Sequence, residues 1–331
     1  MNMLTRRSLI ALSVAQAFAP NLSIREVSAQ TPTSDFPNKP VRLVVPVAAG
    51  GPTDIVARML AEKLSKMWNQ QVFIENKGGA GTNIGNEYVA RSDPDGYTLL
   101  FATASLAVNT SLYRSLSYDP IGDFAPVSLV TQLAYFVFVP NSSPAHSIKE
   151  LIDYAKSRPG KLTMASPGTG SAPFLAEMLF LQMAGIEMTH VPYRGASPAL
   201  TDLIPGRVDC YFGSGALLSY SRSGQMRVLA TTGPTRDAAA PEVPTIAEAG
   251  VPGYDVTAWQ ALFAPVRTPP EIVRKVSADT NTALVDPAIK DKLAQTGYVA
   301  EGSSPEQLEK LLESEIAKWG AVIKSVGIRI D

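Results

Sequence analysis

The chain has 331 residues, 45% of them hydrophobic and 18% charged, enough apolar material for one large or two moderate cores and too much for a disordered segment. Against 30 Asp and Glu stand 29 Lys and Arg, a net charge of −1 with no basic run beyond the first few residues, so the concentrated positive face that nucleic acid requires is missing. With Cys210 as the only cysteine, no disulfide forms within the chain.

The first residues have the pattern of a targeting segment: Arg6-Arg7, an apolar stretch over 9–19, and Val27-Ser28-Ala29 as a small-residue cleavage site before Gln30. Thr5-Arg6-Arg7-Ser8-Leu9 fits a twin-arginine signal, and an ordinary signal n-region equally well. A spanning anchor needs about 20 apolar residues, and Pro20-Asn21 stops the run short of that. Residues 1–29 are therefore expected to be removed on export.

From Lys39 onward short apolar runs alternate with helical periodicity, the signature of an α/β protein with mostly parallel strands. A strand over 41–47 meets the turn Ala48-Ala49-Gly50-Gly51-Pro52. Thr53 or Asp54 then caps a helix with Ile55, Val56, Met59, Leu60, Leu64 and Met67 on one face. A second strand covers 71–75, Gly78-Gly79-Ala80-Gly81 opens a helix, Asp93-Pro94-Asp95-Gly96 is a turn, and a third strand covers 97–103. After Pro140 the pattern restarts with Ser147-Ile148-Lys149-Glu150 as a capping box. Strands follow over 162–166, 188–193, 207–212 and 227–232.

Two apolar extended segments, 134–139 and 257–265, flank this second block and read as crossover strands. The expected architecture is α/β with two lobes, each a mostly parallel sheet flanked by helices, joined by the two crossover strands. Lobe 1 is discontinuous, 36–136 and 258–331, and lobe 2 spans 137–257. Helices over 270–285 and 305–326 complete lobe 1, the latter with Ser304 as cap and Pro305 at its first position.

Ligands in parallel α/β sheets bind at the carboxyl ends of the strands, and three strand-to-helix turns there are rich in small and hydroxyl residues. They are Ala48 to Asp54 (with Ala49, Gly50, Gly51 and Thr53), Thr103-Ala104-Ser105, and Ser166-Pro167-Gly168-Thr169-Gly170-Ser171. Backbone N–H groups at helix starts suit an anion, and two such turns from separate lobes would hold a dicarboxylate at both ends.

Enzymatic motifs are poorly represented. There is no P-loop, and Gly79-Ala80-Gly81 is out of register for a dinucleotide fingerprint. His146 and His190 have no partners at metal spacing, so neither a metal nor a cofactor is expected. His190 reads as a strand residue hydrogen-bonded locally. Gly195-Ala196-Ser197-Pro198-Ala199 imitates a nucleophile elbow, but its last glycine is Ala and Pro198 makes Ser197 a helix cap. The alternative of a secreted α/β-hydrolase-like enzyme acting on a carboxylate or ester rests on that segment. Cys210, in Val208-Asp209-Cys210-Tyr211-Phe212, reads as a buried small hydrophobe. Arg194 either pairs with a carboxylate or is solvated. Asp209 either orients a ligand group or ties down its own loop, and Trp259 either walls the cleft or packs at the hinge.

Over essentially its whole mature length the chain resembles the substrate-binding proteins of tripartite tricarboxylate transporters, the Bug or TctC-like family. The likeness is carried by Pro40-Val41-Arg42 with Ala49-Gly50-Gly51-Pro52-Thr53-Asp54, Val72 to Asn76 with Gly78 to Gly81, and Pro94-Asp95-Gly96-Tyr97-Thr98-Leu99-Leu100. Further matches are Pro159-Gly160-Lys161-Leu162, His190-Val191-Pro192-Tyr193-Arg194-Gly195, and Trp259 ahead of Ala264-Pro265. The resemblance implies a monomeric, non-catalytic periplasmic binding protein of the two-lobed type II (Venus flytrap) fold, a receptor that captures a small organic acid, a mono- or dicarboxylate, for a membrane permease of a large and a small subunit. It also implies that Gly50 to Asp54 and Gly168 to Ser171 hold the carboxylates, with Thr103 and Ser105 nearby and Asp209 within reach of an amine or hydroxyl. Phe174 stands where many relatives have histidine. It either brings an aromatic group to the ligand, favouring an aromatic acid, or packs into its own helix.

Overall fold

The valines of β1 (Val41–Val45) suit a pleated strand covered on both faces, and the covering is there: Val41, Leu43 and Val45 enter one apolar cluster and Val44 another. This computed structural model describes residues 35–329 apart from 170, 194 and 296. The expected export segment 1–29 lies outside the described residues. Among these residues no helix is long and apolar enough to cross a membrane.

β1 leads into α1 (Pro52–Trp68), whose N-cap is Gly51 and whose Pro52 sits in the first turn, where its missing N–H breaks no bond. β2 (Val72–Asn76), a 3-10 turn at Ala80–Thr82, α2 (Asn83–Ala90), β3 (Thr98–Thr103) and α3 (Ser105–Leu112) follow. β1 lies between β2 and β3 and is parallel to both.

β4 (Phe124–Pro140) joins the two lobes. As far as Ala134 it pairs antiparallel with β9 (Thr257–Pro265), and from Tyr135 onward with β7 (Cys210–Ser214) and β8 (Met226–Thr231). Between β4 and β8 the chain builds α4 (Ile148–Ser157), β5 (Thr163–Ser166), α5 (Ala172–Ala184), β6 (Thr189–Pro192), α6 (Ala196–Leu203) and, after β7, the short α7 (Leu218–Arg222). β5 is parallel to β6 and β7. The strand order is β2-β1-β3-β9-β4-β7-β5-β6, with β8 and β10 (Val299–Ala300) also on β4. Each lobe thus has three parallel strands, and the antiparallel strands gather along the join.

β9 pairs only with β3 and β4 of the first lobe. The return crossing falls just ahead of it, at Val256, whose N–H donates to the Thr232 carbonyl at 2.9 Å. The Thr232 hydroxyl donates to the Val256 carbonyl at 2.7 Å and accepts the Tyr135 N–H at 2.8 Å, so one threonine ties both crossings together. The strand expected over 207–212 begins at Cys210 instead. The Asp209 carboxylate accepts the Thr163 N–H and hydroxyl, both at 2.8 Å, which keeps the residues before β7 in a turn.

α8 (Pro270–Leu284), α9 (Pro287–Gln295) and α10 (Pro305–Val326) complete the chain. Ser304 and Gln307 form the full capping box of α10, each side chain accepting the other's N–H. At α4 the expected box is displaced by one residue: Ser147 accepts the Glu150 N–H, but Glu150 reaches back to the His146 N–H at 2.7 Å. Period-2 alternation divides the core. Tyr135, Val137 and Val139 of β4 join a cluster that includes residues of α5 and α10, while Phe136 and Phe138 face α6. The face of the first sheet carrying Leu43, Phe101 and Leu262 packs on α1 and α8.

Candidate functional site

The parallel strands of each lobe deliver their loops to helix starts at their carboxyl ends, and the first such turn is built by its own side chains. Asp54, 1% exposed, accepts the Gly50 N–H at 2.9 Å, Arg58 Nε at 2.8 Å and Asn76 Nδ2 at 2.8 Å. Burial alone would raise its pKa, but these bonds and the Arg58 charge hold it below the usual carboxylate range. Asp54 therefore fixes the shape of the 48–54 turn and ties it to α1 and β2, and both of its oxygens are engaged. Gly50 sits at φ 83, where a side chain would strain the backbone. Gly78 lets the next turn lie on this one, since a Cβ there would come within 3.2 Å of the Ala48 nitrogen.

A cleft of about 220 Å³ opens beside this turn. Its lining includes Thr53, Thr103 and Ser105 of the first lobe, Ala172 and Leu175 of α5, and Leu133, Tyr135, Trp259, Gln260 and Tyr298 along the join. Among the described residues no Asp, Glu, Lys, Arg or His contributes to it. Gln260 is fully engaged: its Nε2 donates to Thr53 Oγ1 at 3.2 Å, its Oε1 accepts the Thr131 hydroxyl at 3.0 Å, and its side chain also bonds the Tyr298 phenol. Trp259 fulfils both of its alternatives, lining the cleft while its Nε1 donates to Glu315 Oε2 at 3.3 Å.

The structure brings Thr53, Thr103 and Ser105 together in the cleft. Ala49, Gly50 and Gly51 lie in the adjoining turn. The other candidates are placed differently. Ser166 is wholly buried, bonded to His190 Nε2 at 2.7 Å and accepting the Gly168 N–H at 3.2 Å. Ser171 caps α5 by accepting the Phe174 N–H, and Thr169 is exposed. Phe174 is 2% exposed, its ring 4.5 Å from that of His190, and the cleft wall on α5 comes from Leu175 instead. Asp209 ties down its loop through Thr163. Gly170 and Arg194 lie outside the described residues.

Among the described residues Ser166 and His190 are the one serine–histidine contact close enough to suggest a hydrolase. Burial lowers the imidazole pKa and keeps the ring neutral. Yet the serine is sealed from the cleft and its oxygen serves the turn, which is a structural arrangement. Ser197 is not the cap of α6 either; Gly195 is the N-cap, at φ 112. A larger groove of about 790 Å³ runs along α2, but its cations are matched by acids, Arg42 and Lys77 with Glu75, Lys39 with Asp95 and Arg91 with Glu87, leaving no unpaired charge for an anion. Tyr135, Tyr298, Gln260 and Leu175 carried no signal in the sequence. Only the antiparallel pairing of β4, β9 and β10 assembles the first three.

Residues 56–328 match the family described as the tripartite tricarboxylate transporter family receptor. The Bordetella pertussis protein BugT is 33% identical over 333 residues, covering 100% of both chains. Among solved structures, a protein of R. palustris with adipate is 38% identical with a TM-score of 0.72, covering 89% of this chain and 99% of its own. MatC from Rhodopseudomonas palustris with bound malate is 33% identical with a TM-score of 0.68, covering 87% and 100%. Members of the family are periplasmic binding proteins of two-lobed α/β fold. On the strength of this match the chain belongs to the tripartite tricarboxylate transporter receptor family.

Proposed function

We propose that the chain is an exported periplasmic receptor that closes two lobes on a small organic carboxylate and hands it to a membrane permease of a large and a small subunit. One observation carries the reading. The cleft between the strand ends is lined from both sides of the join, and among the described residues no Asp, Glu, Lys, Arg or His lines it. A carboxylate bound there must be held by hydroxyls and by the first-turn N–H groups that every helix leaves unpaired, assisted by the helix dipoles.

In this reading Ala49 to Thr53, with Thr103 and Ser105, hold the anion from lobe 1 (36–136 and 258–331), and the turn 168–171 closes from lobe 2 (137–257). Residues 1–29 direct export, and the receptor acts as a monomer without turning over its ligand. That neighbours were solved with adipate and with malate supports a carboxylate ligand here. Closure follows because a ligand touching both lobes binds the closed form better.

A thermal-shift screen of carboxylates, with analysis of the recovered ligand, tests the proposal. A bound acid at 100 times its Kd adds about 2.7 kcal/mol of stability, so a clear rise in Tm is expected with the acid recovered unchanged. Consumption of the acid, or no rise across the panel, would refute it.

A further inference from the structure

Tyr135 sits where β4 leaves the first lobe: Ala134 pairs with Thr257 of β9, and Tyr135 with Ser214 of β7. Its N–H and carbonyl are fixed by Thr232, the residue that ties the two crossings. The side chain lines the cleft and is 7% exposed. Among the described residues nothing hydrogen-bonds its hydroxyl, although the side chain is almost wholly withdrawn from solvent beside the cleft. A hydroxyl that is largely desolvated and unpartnered is the kind of group a ligand is built to satisfy. Tyr298, on the first lobe beside β10, lines the same cleft, and its phenol is anchored by Gln260. The two phenols are close enough to affect each other's ionisation.

We propose that Tyr135 and Tyr298 form a second recognition subsite at the hinge, which selects acids whose end remote from the bound carboxylate carries an uncharged hydrogen-bonding group, a hydroxyl or carbonyl. This rests on the carboxylate-receptor reading and specifies its ligand class. The phenols donate and accept, as an alcohol or carbonyl requires. A second ionised carboxylate would be desolvated beside them without a cation, since none lines the cleft among the described residues. A purely apolar end would leave the Tyr135 hydroxyl unsatisfied.

Three acids of one length separate these cases: hexanoate, 6-hydroxyhexanoate and adipate, titrated calorimetrically into the mature chain and into the Tyr135→Phe and Tyr298→Phe variants. The wild type should bind 6-hydroxyhexanoate about tenfold or more tightly than either of the others, as expected where a buried polar group is matched. Tyr135→Phe should abolish the preference over hexanoate, weakening 6-hydroxyhexanoate while hexanoate binds at least as tightly as to the wild type, because the hydroxyl it leaves unsatisfied is gone; weaker binding of hexanoate would overturn the subsite. Tyr298→Phe, which leaves the hinge strand untouched, should reduce the same preference. Tightest binding of adipate, or a hydroxyl preference that survives both variants, overturns the subsite and leaves the receptor reading intact. If none of the three acids binds, the subsite is overturned; only a blank carboxylate screen as well would bring down the receptor reading.

Discussion

Glu315 of α10 is buried, 3% exposed, and one carboxylate serves three donors there: Trp259 Nε1 at 3.3 Å, Trp319 Nε1 at 2.8 Å and Lys318 Nζ at 2.5 Å. Lys318 also donates to the Asp255 carbonyl at 3.0 Å, one residue before the return crossing. Glu315→Ala would leave two indole N–H groups and a half-buried ammonium without their acceptor. Hydrogen bonds to a charged group are worth about 1.5–3 kcal/mol each, and breaking a buried pair costs about 3–5 kcal/mol. Bonds sharing one acceptor are not additive, so the expected loss is about 3–5 kcal/mol, a fall in Tm on the order of 10 °C. Glu315→Gln retains one acceptor oxygen and should lose about 1–3 kcal/mol. Urea unfolding followed by circular dichroism measures the stability. In a Trp68→Phe background the emission comes from Trp259 and Trp319 alone, the remaining tryptophans. It should shift in both variants, and ligand affinity should fall with it because Trp259 lines the cleft. An alanine variant within 1 kcal/mol of wild type (about the net worth of a single hydrogen bond) with unchanged emission would show that packing alone holds the indole.

Asp54→Asn should destabilise the protein by about 1–2 kcal/mol at pH 7 and weaken ligand binding by loosening the 48–54 turn. The folded pKa of Asp54 is depressed, so its contribution is complete above the unfolded value of about 3.9 and is lost as pH falls through the folded value. The difference between variant and wild type should therefore narrow below about pH 4; a constant difference in urea melts would contradict the assignment. Glu177 is wholly buried, with one oxygen on the Phe212 N–H and the other unpartnered, and burial pushes its pKa well up. The unfolded chain releases that proton above about pH 4.3 while the folded chain retains it, costing up to about 1.4 kcal/mol per pH unit until the folded pKa is reached. Glu177→Gln removes this slope and should gain on the wild type between pH 5 and pH 8; equal stability differences at both pH values would refute it. Cys210 is wholly buried and its thiol pKa is raised, by desolvation first. A thiol reagent should label it only at the rate of unfolding, and rapid labelling of the native chain would place the residue wrongly.

The sequence was most legible where local chemistry is self-sufficient. The valine-rich β1, the Pro52 start of α1 and the Ser304 capping box of α10 all form as their residues dictate. Thr53, Thr103 and Ser105 line the cleft because a turn at the carboxyl end of a parallel strand lies on that side whatever the rest of the fold does. The polar candidates beyond them fared differently for one reason. Short side chains such as Asp54, Asp209, Ser166 and Ser171 hydrogen-bond nearby backbone groups more readily than they remain open for a ligand. Phe174 was ambiguous because α5 is apolar nearly all round, and only packing decides that Phe174 meets His190 while Leu175 meets the cleft. Tyr135 and Tyr298 are 163 positions apart in the chain, and the distance between them closes through strand pairing that no local pattern announces.

Among the described residues no side chain that titrates near neutral pH lines the cleft, which has a consequence for the energetics of capture. An acid that enters as its anion and meets only hydroxyls, an amide and backbone N–H groups is captured without taking up or releasing a proton. Calorimetric enthalpies of binding should then be the same in buffers of different ionisation enthalpy. The capture step would then carry no coupling ion of its own.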